Sequence, residues 1–171
     1  MVTAVLILSL ATLSFVAGTG ESYTFMMGHF PAPWGNEIRI GELEALMAVF
    51  FSLIMMLSIF GGMAHIDREV QDSKKNLFYI LLDLLLASLL ALIYTNDLFT
   101  AYVFIEINTI AACGLIMIKK QGRTYVSALR YMIMSLVGSG LFLIGLTLLY
   151  SITGHLLMSP EIGRASCRER V

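Results

Sequence analysis

The chain has 171 residues, 58% of them hydrophobic and only 13% charged. A soluble domain carries about 25% charge, so this composition excludes an ordinary soluble globular protein. The formal net charge of −1 argues neither for nor against a nucleic-acid partner, but the sequence has no basic stripe with interleaved aromatics, so none is expected.

Taken in chain order, five apolar segments predict five membrane-spanning helices, at about 2–16, 43–63, 77–94, 98–118 and 125–150. A helix crossing a bilayer needs about 20 mainly apolar residues, and four of the five approach that length. The first is slightly short. It has no Lys or Arg ahead of its apolar run, unlike a secretory signal peptide, so it reads as a span with its beginning missing. The fold class is therefore all-α, a polytopic transmembrane helix bundle.

The connections are unlike one another. The 17–42 connection contains Pro31, Pro33 and Gly35, which break helix. Residues 36–40 alternate polar and apolar, as a short strand does. Phe30 and Trp34 suit the headgroup level of a membrane. His29 and His65 have no second His or Cys at ligand spacing, so no metal site is expected.

The hydrophilic 64–76 connection carries Arg68, Lys74 and Lys75, and 119–124 carries Lys119, Lys120 and Arg123. The opposite-side connections hold only Arg39. Lys and Arg in short loops mark the cytoplasmic face, which predicts that loops 64–76 and 119–124 are cytoplasmic and that the membrane is the cell (inner or plasma) membrane. The third and fourth spans are joined by Thr95, Asn96 and Asp97 alone, which forces an antiparallel helix hairpin. Asn96 or Asp97 can cap the fourth helix. Ser135, Gly138, Ser139, Gly140 and Gly145 give the last span small residues that allow close helix packing.

Beyond Pro160 the character changes to EIGRASCRERV, three arginines and two glutamates with no apolar period. This stretch resembles translated sequencing-adapter read-through. The expected organisation is one transmembrane domain over 1–160 and a non-native tail over 161–171. Cys113 reads as a small thiol packed between helices, and Cys167 falls in the tail; neither has disulfide or zinc spacing.

Two carboxylates lie where lipid should be. Glu106 is the ninth residue of the fourth span, about 12 Å below its edge and close to the bilayer midplane. An ionised side chain there costs about 2.5–3.5 kcal/mol on insertion scales. Tyr102, Glu106, Thr109 and Cys113 follow one another at i, i+4, i+7 and i+11, one helix face. Such a polar stripe belongs inside a bundle or beside water. A carboxyl held there is a candidate to take and release a proton; the alternative is a structural hydrogen bond or ion pair between helices. Asn108 falls on the opposite face as an interhelical hydrogen bonder. Asp83 raises the same question within FYILLDLLLASLLALIY, as a second relay group or the partner of a cation elsewhere. The nearest basic residue is Arg130, close to the cytoplasmic end of its span, from which it can snorkel. There is no Cys cluster, haem motif or Gly-rich phosphate loop, so no cofactor is expected on this chain.

Three segments then form a recognisable order. GHFPAPWGNEIRIGELEALMAVFFSLI, NDLFTAYVFIEINTIAACGLI and ALRYMIMSLVGSGLFLIGLTLLYSITG resemble successive parts of the proton-translocating antiporter-like membrane subunits. That family includes subunits of respiratory complex I, of membrane-bound hydrogenases and of Mrp-type cation/proton antiporters. The resemblance implies a bundle of about fourteen helices, of which this chain is a truncated part, and other membrane subunits as partners. It implies that Glu106 pairs with a lysine on a later, broken helix and that protons or Na+ pass along a mid-membrane row of charges. It puts Arg130 where a basic residue opens the next helix. Asp83 departs from the pattern. The expected function is a membrane subunit of a redox-driven proton-translocating complex, of NADH-quinone oxidoreductase (NADH dehydrogenase) or hydrogenase type, that conducts protons through a mid-membrane charge relay. A Mrp-type Na+/H+ antiporter subunit and a non-transporting membrane scaffold are the alternatives.

Overall fold

The computed structural model describes residues 1–26, 37–118, 122–154 and 156–158. Its elements run α1 Val2–Thr19, β1 Tyr23–Met26, β2 Glu37–Ile40, α2 Glu42–Glu69, α3 Asp72–Tyr94, α4 Leu98–Met117 and α5 Gly122–Thr153. Five helices among the described residues are long and apolar enough to cross a membrane. This is a multi-pass membrane protein, as composition and periodicity predict.

Each helix starts and stops for a local reason. α1 ends at Gly20, whose left-handed backbone (φ 67°) lets its N–H reach the Val16 carbonyl at 2.9 Å. Gly154 closes α5 in the same way, at φ 75° with its N–H 2.9 Å from the Tyr150 carbonyl. α2 opens with Glu42 and Glu44 in its first turn, where carboxylates favour the positive end of the helix dipole. Asp72 and Lys75 pair at 2.7 Å in the first turn of α3. At α4 the Asp97 carboxylate accepts from the Thr100 N–H at 3.2 Å and from the Thr100 hydroxyl at 2.6 Å, so Asp97, not Asn96, is the cap.

The helices pack in sequence order, α1 on α2, α2 on α3, α3 on α4 and α4 on α5. Val2, Met55 and Leu86 form a core shared by the first three. At Gly114 of α4 an added Cβ would lie 2.9 Å from Leu81 Cδ1 of α3, so the absence of a side chain lets these two helices approach closely. Little else is buried. Between 11% and 17% of each apolar window is enclosed, and residues such as Met134 and Ile152 are 77% and 82% exposed. Such surfaces are satisfied by lipid or by further helices, not by water.

One end of the bundle carries a small backbone ladder. β1 and β2 pair antiparallel, with Tyr23 opposite Ile40 and Met26 opposite Glu37. The ladder then continues through the α3–α4 link. The Asn96 N–H donates to the Glu37 carbonyl at 2.8 Å, the Met158 N–H to the Asn96 carbonyl at 2.9 Å, and the Leu98 N–H to the Leu156 carbonyl at 3.0 Å. Thr95 and Asn96 are buried, and a buried non-helical backbone must find partners of this kind.

Two sequence expectations change in detail. The expected strand is present over its described residues, Glu37–Ile40 (residue 36 lies outside them), and gains an upstream partner, Tyr23–Met26, that carries no clear alternation. The 64–76 connection is almost wholly helical: α2 runs on to Glu69, α3 begins at Asp72, and only residues 70 and 71 turn the chain. Hydropathy detects where a helix leaves the apolar layer, and a charged helix can continue past that point. His29, Phe30, Pro31, Pro33, Trp34, Gly35, Lys119, Lys120, Cys167 and the 161–171 tail lie outside the described residues, as do the side chains of His65, Arg68 and Arg123.

Candidate functional site

The polar stripe of α4 faces α5, and two contacts fix that direction. The Tyr102 ring stacks on Phe142 with centroids 6.5 Å apart. Near the other end the Cys113 Sγ–H, buried, donates to the Ala128 carbonyl at 3.7 Å. Glu106 and Thr109 lie between these points on the same face. Glu106 is half-buried, and its Oε1 is enclosed with no hydrogen-bond partner among the described residues. The Thr109 hydroxyl is turned to its own helix, donating to the Glu106 backbone carbonyl at 2.8 Å and the Ile105 carbonyl at 3.1 Å. It therefore does not donate to the Glu106 carboxylate.

An enclosed carboxylate oxygen without a donor is costly, because a charge removed from water needs compensation. Glu106 is the ninth residue of a 20-residue helix, so at 1.5 Å per residue it lies about 12 Å from the start of α4. Neutralisation by a proton, or a cation supplied from outside the described residues, removes the penalty.

Asp83 and Arg130 do not converge on this position. Asp83 is half-buried on α3 and lines a cavity of about 290 Å³ with Val2, Thr3, Met56, Ile59, Phe60 and Tyr79, on the α1–α2 side of the bundle. Leu81, two residues earlier, faces α4 instead. A two-residue step turns a helix by about 200°, which separates the two directions. Arg130 is exposed, and it too stands two residues from a contact residue, the buried Ala128 that faces α4. Glu106 thus stands apart from the other two charged residues of the expected relay. A second cavity, about 340 Å³, opens between α4 and α5 around Cys113, Met117, Tyr125, Ala128, Leu129 and Met132. Sequence periodicity located the α4 stripe, but nothing in the sequence signalled this neighbouring cavity, which depends on how α5 crosses α4.

The transmembrane family model of NADH:quinone oxidoreductase and Mrp antiporter subunits matches residues 95–165, the stretch that holds α4 and α5. NADH-quinone oxidoreductase subunit N of Desulforudis audaxviator is 34% identical over 143 residues, which cover 82% of this chain and 28% of that protein. The chain belongs to the NADH:quinone oxidoreductase/Mrp antiporter family. A second family relative, a Na(+)/H(+) antiporter subunit of Bacillus subtilis, is 29% identical over 136 residues, covering 80% of this chain and 27% of its own length. Among solved structures, the membrane-bound sulfane sulfur reductase, an archaeal respiratory membrane complex, contains a chain with a TM-score of 0.77 and 28% identity. That likeness covers 92% of this chain and 31% of the other. The chain thus spans less than a third of the length of each of these three proteins.

Proposed function

We propose that this chain forms part of a membrane subunit of a proton-translocating complex, and that Glu106 is the group that holds or passes the proton. The observation that carries this reading is the enclosed, unpartnered Oε1 of Glu106 near mid-span, on the face that α4 turns to α5. A side chain kept there at a cost of about 2.5–3.5 kcal/mol is best explained by a charge that is switched. The similarity to an NADH-quinone oxidoreductase subunit and to a chain of a respiratory membrane complex supports a redox-driven pump. The similarity to a Na(+)/H(+) antiporter subunit supports the second reading, cation/proton exchange without redox drive.

On either reading the partners are other membrane subunits of one complex, and the transported ion is a proton with or without Na+. The membrane is the cell (inner or plasma) membrane, and the 64–76 connection, which includes Lys74 and Lys75 at the start of α3, faces the cytoplasm together with 119–124. Asp83, in its separate cavity, serves as a second proton-binding group, and Arg130 provides positive charge toward the cytoplasmic surface.

The test is Glu106→Gln in the intact subunit, assembled with its partners in membrane vesicles. Proton transfer by a positioned side chain contributes about 10²-fold, so flux should fall by about that factor while the amount of assembled complex is unchanged. Normal flux with Gln rejects the relay role. Loss of assembly instead supports the scaffold reading, in which Glu106 forms a structural pair. Drive by NADH against drive by an imposed Na+ gradient separates the pump from the exchanger.

A further inference from the structure

An open-sided recess of about 510 Å³ lies at the ladder end of the bundle, between α1 and the two strands. Helix α1 contributes Ala11, Phe15 and Val16 to it, and the strands contribute Tyr23, Phe25 and Ile40. Tyr23 stands opposite Ile40 in the register and Phe25 follows two residues on, so these three share one face of the ladder. The Phe15 and Tyr23 rings meet with centroids 5.7 Å apart and join helix to strand. The second strand is held from behind by the Asn96 N–H on the Glu37 carbonyl. Both walls of the recess are thus fixed by contacts within the fold.

Its depth says what surrounds it. Val16 and Ala11 stand three and eight residues before the end of α1 at Thr19, which is about 4.5 and 12 Å below that end. Half of a hydrocarbon core measures about 15 Å, so the recess opens in the acyl-chain layer of the leaflet on the ladder side. Aromatic rings gather at the upper edge of that layer, and Phe15, Tyr23 and Phe25 are 56%, 51% and 59% exposed. The α1 wall offers no polar anchor. Thr12, which also borders the recess, donates its hydroxyl to the Ser9 carbonyl at 2.8 Å and shares a hydrogen bond with Tyr94. Another transmembrane helix fits this wall badly. Such helices approach along small residues, as α3 and α4 do at Gly114, whereas three rings stand here. A flexible hydrocarbon chain fits it well. An apolar cavity of about 150 Å³ holds one six-carbon ring, so this recess has room for about twenty carbons, the content of one long acyl chain.

We propose that the recess is a lipid site: it holds one acyl chain of a phospholipid from the ladder-side leaflet and keeps it longer than the lipid exchanging freely around the bundle. The surrounding bilayer is as apolar as the recess, so escape from water is not the driving force. Dispersion contact with a wall that is already in place is. An empty recess would forfeit those contacts. The site does not depend on the role of Glu106.

The experiment uses the intact subunit assembled with its partners in vesicles that contain a phosphatidylethanolamine carrying a diazirine in one acyl chain. The vesicles are fused with a large excess of unlabelled phospholipid and then irradiated, and adducts are located by peptide mass spectrometry. Adducts on residues 11–16 and 23–25 should survive the dilution, while adducts elsewhere fall with the label. Ala11→Trp fills the recess and should abolish the surviving adducts. Phe25→Ala removes part of the wall without adding bulk and should release the lipid as well. Leu10→Trp, on the opposite face of α1, should leave the adducts in place. Recess adducts that dilute like all others mark ordinary boundary lipid and overturn the proposal. Survival of the adducts in both Ala11→Trp and Phe25→Ala overturns it too, as does capture of a protein by a photoreactive amino acid placed at position 11. A diazirine-labelled free fatty acid that marks the recess where the phospholipid does not would overturn the phospholipid as its source.

Discussion

Single side chains decide the ends and the centre of α4. At its start, Asp97 accepts two hydrogen bonds from Thr100. These satisfy a backbone N–H that has no partner within the helix. Asp97→Ala should lower stability by about 0.5–2 kcal/mol, and Asp97→Ser or Asp97→Asn should keep most of it. Thermal unfolding in detergent micelles measures this, and an Ala variant as stable as the parent would show that the cap is dispensable. The change leaves the backbone bridge from Asp97 to Leu157 in place, since that uses main-chain atoms. At the centre of the helix, the sequence made Glu106 and its stripe legible because helical spacing alone puts Tyr102, Glu106, Thr109 and Cys113 on one face. It did not reveal that Asp83 and Arg130 face elsewhere. Their directions depend on which neighbour each helix chooses, and that choice is made by residues such as Gly114 and Ala128, which carry no charge signal.

At the scale of whole helices, close approach depends on missing side chains. Leu81 occupies the space that a Cβ on Gly114 would need, at 2.9 Å from Cδ1 and 3.1 Å from Cδ2. Those atoms are the far end of a flexible side chain, so Gly114→Ala can be absorbed by a small rotation of Leu81. Gly114→Val cannot, and should destabilise the α3–α4 pair by about 1–3 kcal/mol, the usual cost of overpacking. Leu81→Ala should recover part of that loss, making the double variant more stable than the sum of the singles predicts. Additive losses in a double-mutant cycle of unfolding would mean that the two residues do not compete for space. The same contacts explain what was readable in the elements. Helix number and order followed from apolar run length, and the α3–α4 hairpin from a three-residue link. The extension of α2 to Glu69 was not readable from hydropathy, because Asp67, Arg68 and Glu69 are as compatible with a charged helix end as with a loop. Strand β1 was equally silent, since its pairing with β2 is made through the backbone.

Across the whole molecule, the apolar exterior and the charge at the two ends together define how the bundle must sit. Five crossings put the β1–β2 ladder and the α2–α3 turn on opposite faces of the membrane. The turn is followed at once by Lys74 and Lys75, whereas Arg39 is the basic residue of the ladder. Basic residues in short connections are retained on the cytoplasmic side, so the turn should be inside and the ladder outside. Single cysteines at Ser73 and Thr24, both exposed, report this directly when Cys113 and Cys167 are replaced. A charged maleimide that cannot cross the bilayer should label Ser73→Cys in inside-out vesicles only, and Thr24→Cys in right-side-out vesicles only. Labelling of both from one side would contradict the number of crossings between them, and the reversed pattern would overturn the orientation while leaving the five helices intact. The result also bears on Glu106. If the turn faces the cytoplasm, the cavity around Cys113, Met117 and Tyr125 lies on the cytoplasmic half of the α4–α5 seam. The ladder then closes the opposite end, where Asn96 and Leu98 are tied to the chain on either side. The cavity and the positive charge would then share one side of the membrane and the hydrogen-bonded ladder the other, with Glu106 between them.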